Sequence, residues 1–372
     1  MSFTSFGFSK PILAALLQNN ILEAYPIQSE GIPHILKGKD FLGIAPTGSG
    51  KTLAYALPII QKLSTTTNNR NRMVDALILV PTRELAIQVE AEFALFSEFF
   101  PELKSKAVYG GVSINPQMKT LMGTQILIAT PGRLLDLISK NALQLSKVSY
   151  LVLDEADQVL SLGFKEEVDQ LLALMPIKKQ TLLFSATLSS TVQELISRTL
   201  KNPITVELNK EIVTPESIDQ RAYFVKEEDK GPFLRTLLKD KQWKQVLIFV
   251  SSIRTADNVV QKLNKNGFQA MALHSQKSQG ARVDALTKFK AGKLHVLVAT
   301  DLAARGIDIK LLPCVINYEL PRSPQDYIHR IGRTGRAEND GIAISFITEL
   351  DTHHFGIIQK KMKKTVEIIP YL

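Results

Sequence analysis

The chain has 372 residues, 45% of them hydrophobic, and carries 45 Lys and Arg against 36 Asp and Glu, for a formal net charge of +9. This composition excludes a disordered or fibrous chain and predicts two domains with their own cores, while no apolar stretch is long enough to span a bilayer. The basic surplus suits a polyanion, either nucleic acid or an anionic membrane surface, without choosing between them.

At the N-terminus, Met1-Ser2-Phe3-Thr4 lacks the basic and apolar regions of a secretion signal, so the expected location is cytoplasmic. The first segment that implies chemistry is Ala45-Pro46-Thr47-Gly48-Ser49-Gly50-Lys51-Thr52. Its glycines let backbone N–H groups curl around phosphate oxygens, Lys51 offers a point charge to the terminal phosphates, and the Thr52 hydroxyl can reach a Mg²⁺ ion. Short apolar runs then alternate with helical patterns, predicting strands at 76–80, 125–129, 150–153 and 181–184. Thr82 is a plausible N-cap for a helix in which Leu85, Val89, Phe93 and Phe96 recur at helical spacing. This rhythm predicts βαβ units around a parallel sheet. The run 150–153 leads into Asp154-Glu155-Ala156-Asp157, which places carboxylates at the C-terminal end of a buried strand, where open α/β sheets bind ligands. With the phosphate loop upstream, Asp154 supplies a second metal-side oxygen. Glu155 is then the candidate general base for the water that attacks the terminal phosphate.

Around 206–219 the alternation stops in a polar, proline-marked stretch, which predicts a linker at 209–217 between domains 1–208 and 218–372. Further strands are predicted at 246–250, 269–273, 295–299, 315–318 and 342–347. Ala256, Val259, Val260 and Leu263 form an amphipathic helix closed by Gly267. The single Cys314 excludes an internal disulfide and reads as a small apolar residue on a strand. This half has no glycine-lysine phosphate loop, so the second domain is expected to complete the site of the first. Within His329-Arg330-Ile331-Gly332-Arg333-Thr334-Gly335-Arg336, three arginines and a histidine are costly together unless an anion offsets them. Arg333 and Arg336 are three apart, so on a helical segment they would share a face and could act as arginine fingers on the transferred phosphoryl group. A basic surface patch for nucleic acid is the other reading. The run Lys360-Lys361-Met362-Lys363-Lys364 reads as a solvated helix face.

Taken together, the chain resembles a DEAD-box ATP-dependent RNA helicase of superfamily 2, the family named by the tetrad Asp154-Glu155-Ala156-Asp157. Other segments match its motifs in order: Pro81-Thr82-Arg83-Glu84-Leu85-Ala86, Gly110-Gly111, Thr130-Pro131-Gly132-Arg133, Ser185-Ala186-Thr187, Leu247-Ile248-Phe249-Val250-Ser251-Ser252, and the run from Ala299-Thr300-Asp301 to Arg305-Gly306-Ile307-Asp308. The resemblance covers essentially the whole chain. It implies an α/β fold of two tandem RecA-like domains, each a mostly parallel sheet flanked by helices, with ATP, Mg²⁺ and RNA bound across their cleft in a monomer. It further implies that Gln28 recognises adenine and that Phe3 fills an upstream aromatic position of the nucleotide site. Thr47, Gly48, Ser49, Gly50, Lys51 and Thr52 would hold phosphate, Thr52 and Asp154 the metal, and Asp308 the ribose. Ile21 stands where an adenine-stacking aromatic is common, and Ala24 replaces a frequent proline. Ser185 and Thr187 would bond toward Asp157 and couple hydrolysis to domain closure, and His329 would either orient the acidic motif or serve as a structural histidine. RNA backbone contacts would come from Thr82, Arg83, Gly111, Thr130 and Arg133 in the first domain and from Gln279, Arg282, Thr300 and Asp301 in the second. The activity implied is RNA-stimulated ATP hydrolysis coupled to local unwinding of short duplexes or remodelling of RNA–protein complexes. A DNA-translocating helicase and an ATP-dependent RNA clamp are the competing readings.

Overall fold

The computed structural model describes residues 1–46, 48–65, 72–208, 218–304, 312–334 and 341–371. Thr47, Asp308, Arg336 and the predicted linker at 209–217 therefore lie outside the described residues. The chain divides into two compact units, Met1–Lys210 and Glu211–Leu372.

The first unit holds strands β1 (Phe41–Ile44), β2 (Ala76–Leu79), β3 (Ser105–Val108), β4 (Ile126–Ala129), β5 (Tyr150–Leu153), β6 (Gln180–Ser185) and β7 (Ile204–Glu207). They form one seven-stranded sheet in the order β3-β4-β2-β5-β6-β1-β7, with every pair parallel. β1, β2 and β4 are buried at every residue, as expected for parallel strands covered on both faces. Alternate side chains enter two cores. Ile78, Val152, Leu182 and Phe184 pack with Tyr55 and Phe93 on one face, while Leu77, Leu79, Leu151 and Leu183 pack with Leu134, Val168 and Val192 on the other. Thr82 caps the helix Arg83–Ser97 by accepting the Leu85 N–H at 3.3 Å.

The second unit repeats this plan with β8 (Asp219–Phe224), β9 (Val246–Val250), β10 (Ala270–Leu273), β11 (Val296–Thr300), β12 (Cys314–Asn317), β13 (Ile342–Ile347) and β14 (Ile368–Pro370). Their order is β10-β11-β9-β12-β13-β8-β14, again parallel throughout. The helix Ile253–Lys265 buries Ala256, Val259 and Leu263, and Gly267 follows it at φ +85°. Only Gly takes that backbone without strain, so the chain can turn directly into β10. Lys360, Lys361 and Lys363 are exposed at the end of the helix Thr352–Met362.

Strand order in the first sheet determines the site. β5, β6 and β1 are consecutive neighbours, so the segments after them, Asp154-Glu155, Ala186-Thr187 and the phosphate loop, emerge side by side. β3, β4 and β2 form the other half and deliver Gly110-Gly111, Thr130 and Thr82 along the same edge.

Candidate active site

The phosphate loop starts at Ala45, whose N–H donates to the Ser185 carbonyl at 3.0 Å, tying its base to β6. The Ser49 hydroxyl donates back to the Pro46 carbonyl at 2.8 Å. Gly50, at φ +87°, is the N-cap of the helix Lys51–Leu63, and a Cβ there would lie 2.5 Å from the Gln28 amide nitrogen. Both the conformation and the space require glycine. The helix N-terminus that follows is a ready anion site, because its first N–H groups have no intrahelical partner. Lys51 is 6% exposed and donates to the Ala45 carbonyl at 2.9 Å, folded back over the loop. Lys51→Ala should weaken binding of a fluorescent ATP analogue about tenfold or more, because no other loop side chain carries a charge to meet the phosphates. Unchanged affinity would remove Lys51 from the site.

Gln28 is 1% exposed, and both ends of its amide are engaged. Its oxygen accepts the Tyr25 N–H and its nitrogen donates to the Gly50 carbonyl, each at 2.9 Å. The residue predicted to read adenine therefore braces the phosphate loop. Phe3 is 3% exposed, packs edge-on to Phe6 and belongs to the first core. Ile21 and Ala24 pack half-buried on the same core.

Asp154 follows β5 and is 2% exposed. One carboxylate oxygen accepts the Tyr55 hydroxyl at 2.8 Å and the other the Glu155 N–H at 2.9 Å. Burial holds the Asp154 carboxyl above the usual range, against the lowering effects of Lys51 and of both hydrogen bonds, while burial and the Asp154 charge hold Tyr55 well above the ordinary phenol range. Glu155, 4% exposed, sits at φ 50°, ψ 49°, a left-handed backbone that costs a non-glycine residue about 1–2 kcal/mol. Strain of this kind persists where the surroundings dictate it, often at functional positions.

The Thr187 hydroxyl donates to the Asp157 carboxylate at 2.8 Å. Ser185 does not reach Asp157 as predicted: its hydroxyl donates to the Thr187 carbonyl at 2.8 Å, shaping the turn that aims Thr187. Among the described residues no cluster of three or more His, Cys, Asp or Glu could hold a metal unaided. One carboxylate and one hydroxyl beside a phosphate loop fit Mg²⁺, which is bound by few protein oxygens together with substrate phosphates and water.

On the other half of the sheet, three segments interlock. The Gly110 N–H donates to the Thr130 hydroxyl at 3.4 Å. Gly111, at φ +77°, leaves room for Arg83, whose Nη1 would be 2.9 Å from a Cβ at that position. Arg133 donates to the Gln117 side chain at 2.9 Å and to the Val112 carbonyl at 2.6 Å. Arg133 is 8% exposed, and its guanidinium holds the glycine loop in place. Gly111 itself is exposed.

In the second unit, Arg330 is 2% exposed and forms a fork with Asp301 at 2.6 and 2.7 Å. It also donates to the Asn317 side chain at 3.1 Å and the Glu319 carbonyl at 2.6 Å, and stacks 4.9 Å from the Phe249 ring centre. The anion that the basic cluster calls for is thus partly internal. Asp301, read as an RNA contact, bonds Arg330 through both of its oxygens. The helix Pro324–Ile331 ends before Arg333, with Gly332 as its C-cap, so Arg333 lies in a turn and the predicted helical face is corrected. His329 is exposed, with Nε2 3.3 Å from the Gln325 amide nitrogen. Gln279 opens the helix Gln279–Lys290, Arg282 is 4% exposed on it, and Thr300 ends β11. Sequence reasoning missed Tyr55 and the Asp301–Arg330 pair, since neither spacing nor residue type signals a partner 99 or 29 positions away.

Two family models match, the DEAD/DEAH box helicase over residues 25–195 and the helicase conserved C-terminal domain over 229–338. Among solved structures, Saccharomyces cerevisiae Dbp5 bound to RNA and ADP BeF3 is 29% identical with a TM-score of 0.86, covering 100% of this chain and 95% of that one. A DEAD box protein from Methanococcus jannaschii is 36% identical, with a TM-score of 0.55 and coverage of 100% and 99%. Fold and site together define a phosphate-loop ATPase built from tandem RecA-like domains. The ATP-dependent RNA helicase CshA of Listeria monocytogenes is 39% identical over 98% of this chain and 69% of its own length, and DeaD of Buchnera aphidicola is 38% identical over 98% and 60%. The chain belongs to the DEAD-box ATP-dependent RNA helicases.

Proposed function

We propose that this protein hydrolyses ATP in response to RNA and uses the cycle to separate short duplexes or remodel RNA–protein complexes. The observation that carries this reading is the division of one sheet edge, with nucleotide residues after β5, β6 and β1 and the exposed Gly111 loop after β3. Nucleotide and RNA would then meet along the same row of strand ends. Lys51 and the loop N–H groups would bind the phosphates, and Gln28 would read adenine from beside the loop. Thr52 and Asp154 would hold Mg²⁺, whose charge offsets that of the phosphate oxygens. Glu155 would take the proton from the attacking water, and the Thr187–Asp157 bond would carry the change toward the RNA half. Arg333 and Arg336 of the second unit would offset charge on the phosphoryl group as the units close over ATP and RNA. Thr82, Thr130, Gly111, Gln279 and Thr300 would bind backbone, which requires no base sequence.

Contacts to ribose 2′-hydroxyls would discriminate RNA from DNA. RNA should therefore stimulate ATP hydrolysis more strongly than DNA of matched sequence. Equal stimulation would overturn the RNA assignment, and a duplex-release assay that frees no strand while ATP holds RNA would favour a clamp.

A further inference from the structure

Tyr55 lies in an apolar setting, its ring centre 5.3 Å from Phe184 and 6.2 Å from Phe93. It is 0% exposed. A phenylalanine would fill that space equally well, and a buried hydroxyl is costly unless it is bonded. Its bond goes to Asp154, 99 positions away, at 2.8 Å. Thr52 lies one helical turn earlier on the same helix. The acid assigned to Mg²⁺ is thus bonded by a phenol on the helix that begins at the phosphate loop and carries Thr52.

We propose that Tyr55 is a positioning residue for the metal side of the nucleotide site, holding the Asp154 carboxylate at a fixed rotation relative to Thr52. The inference rests on the nucleotide reading above and deepens it. An ionised carboxylate has about four acceptor positions. The Tyr55 hydroxyl and the Glu155 N–H occupy one on each oxygen, fixing the carboxylate plane and leaving the other positions for the ion and its water. Thr52 and Tyr55, three apart on one helix, share a face, so the loop and the acid move as one body. Outer partners of this kind govern metal affinity without touching the metal.

The test is Tyr55→Phe in the full chain, which keeps the ring and removes one oxygen. A fluorescent ATP analogue is titrated at increasing Mg²⁺, and a fluorescent ADP analogue is titrated in EDTA. The Mg²⁺ concentration for half-maximal ATP binding should rise about tenfold or more. Metal-free ADP binding should change less than about twofold if the hydroxyl acts through the metal side alone. In an Asp154→Asn background the same substitution should have no further effect on the Mg²⁺ midpoint. An unshifted midpoint in folded Tyr55→Phe, or equal losses with and without metal, overturns the proposal. Should Tyr55→Phe fail to fold, Tyr55→Met, whose flexible side chain can refill the space, is read by the same criteria. A wild-type protein that binds the analogue without any Mg²⁺ dependence would instead overturn the nucleotide reading.

Discussion

Glu155→Gln should leave ATP and RNA bound while turnover falls about 10²–10⁴-fold, the contribution of a positioned general base. Gln keeps the length and most of the volume of Glu but cannot accept the water's proton. It also keeps whatever strain the left-handed backbone at φ 50° stores, so the substitution isolates chemistry from conformation. The melting temperature should therefore move little. RNA held in the presence of ATP should dissociate slowly, because release would await a hydrolysis step that no longer occurs. Single-turnover ATP cleavage and the RNA dissociation rate are the measurements. Undiminished cleavage would take the general-base role from Glu155.

Arg330→Ala should be the most destabilising single change among the residues of the basic cluster. It leaves Asp301 without its fork, takes the donor from the Asn317 amide oxygen and the Glu319 carbonyl, and opens a void against Phe249. Breaking a fully buried pair from one side costs about 3–5 kcal/mol, and Asp301, whose side chain is 26% exposed, puts this pair at the lower end of that range. In a unit of this size that lowers the melting temperature by about 2–4 °C per kcal/mol, or roughly 10 °C. Arg330→Met with Asp301→Leu should recover most of the loss, since apolar residues that replace both partners leave no charge uncompensated. Amide exchange in β9 and β12, which meet this side chain through Phe249 and Asn317, would report the effect locally. A single mutant as stable as the parent would show that the fork contributes nothing.

The chemistry-bearing segments were legible because local backbone demands specify them. Glycines at positive φ, a lysine at a helix start and acids at the end of an apolar strand carry their meaning within eight residues. Strands β2, β4, β5 and β6 were likewise legible as continuous apolar runs. β1, β3, β7, β8 and β14 were not. β1 is four residues broken by Gly43, where a Cβ would lie 2.6 Å from Phe184, so its glycine records packing and mimics a loop signal. β3 and β8 carry Ser105, Lys106, Asp219 and Arg221, which is tolerable in partly exposed strands and reads as a loop in isolation.

Periodicity, motif order and composition establish two α/β domains, a phosphate loop with its acid, and the helicase family. They say little about what each polar side chain does once folded. Phe3 goes to the core, Arg133 to a loop, Asp301 to Arg330, and Ser185 to a carbonyl two residues on. Tyr55 gains a partner that only the adjacency of β5, β6 and β1 brings near. Backbone preferences act over a few residues and leave a trace in local sequence. The satisfaction of a buried polar group depends on which distant strands become neighbours, and tertiary packing alone decides that.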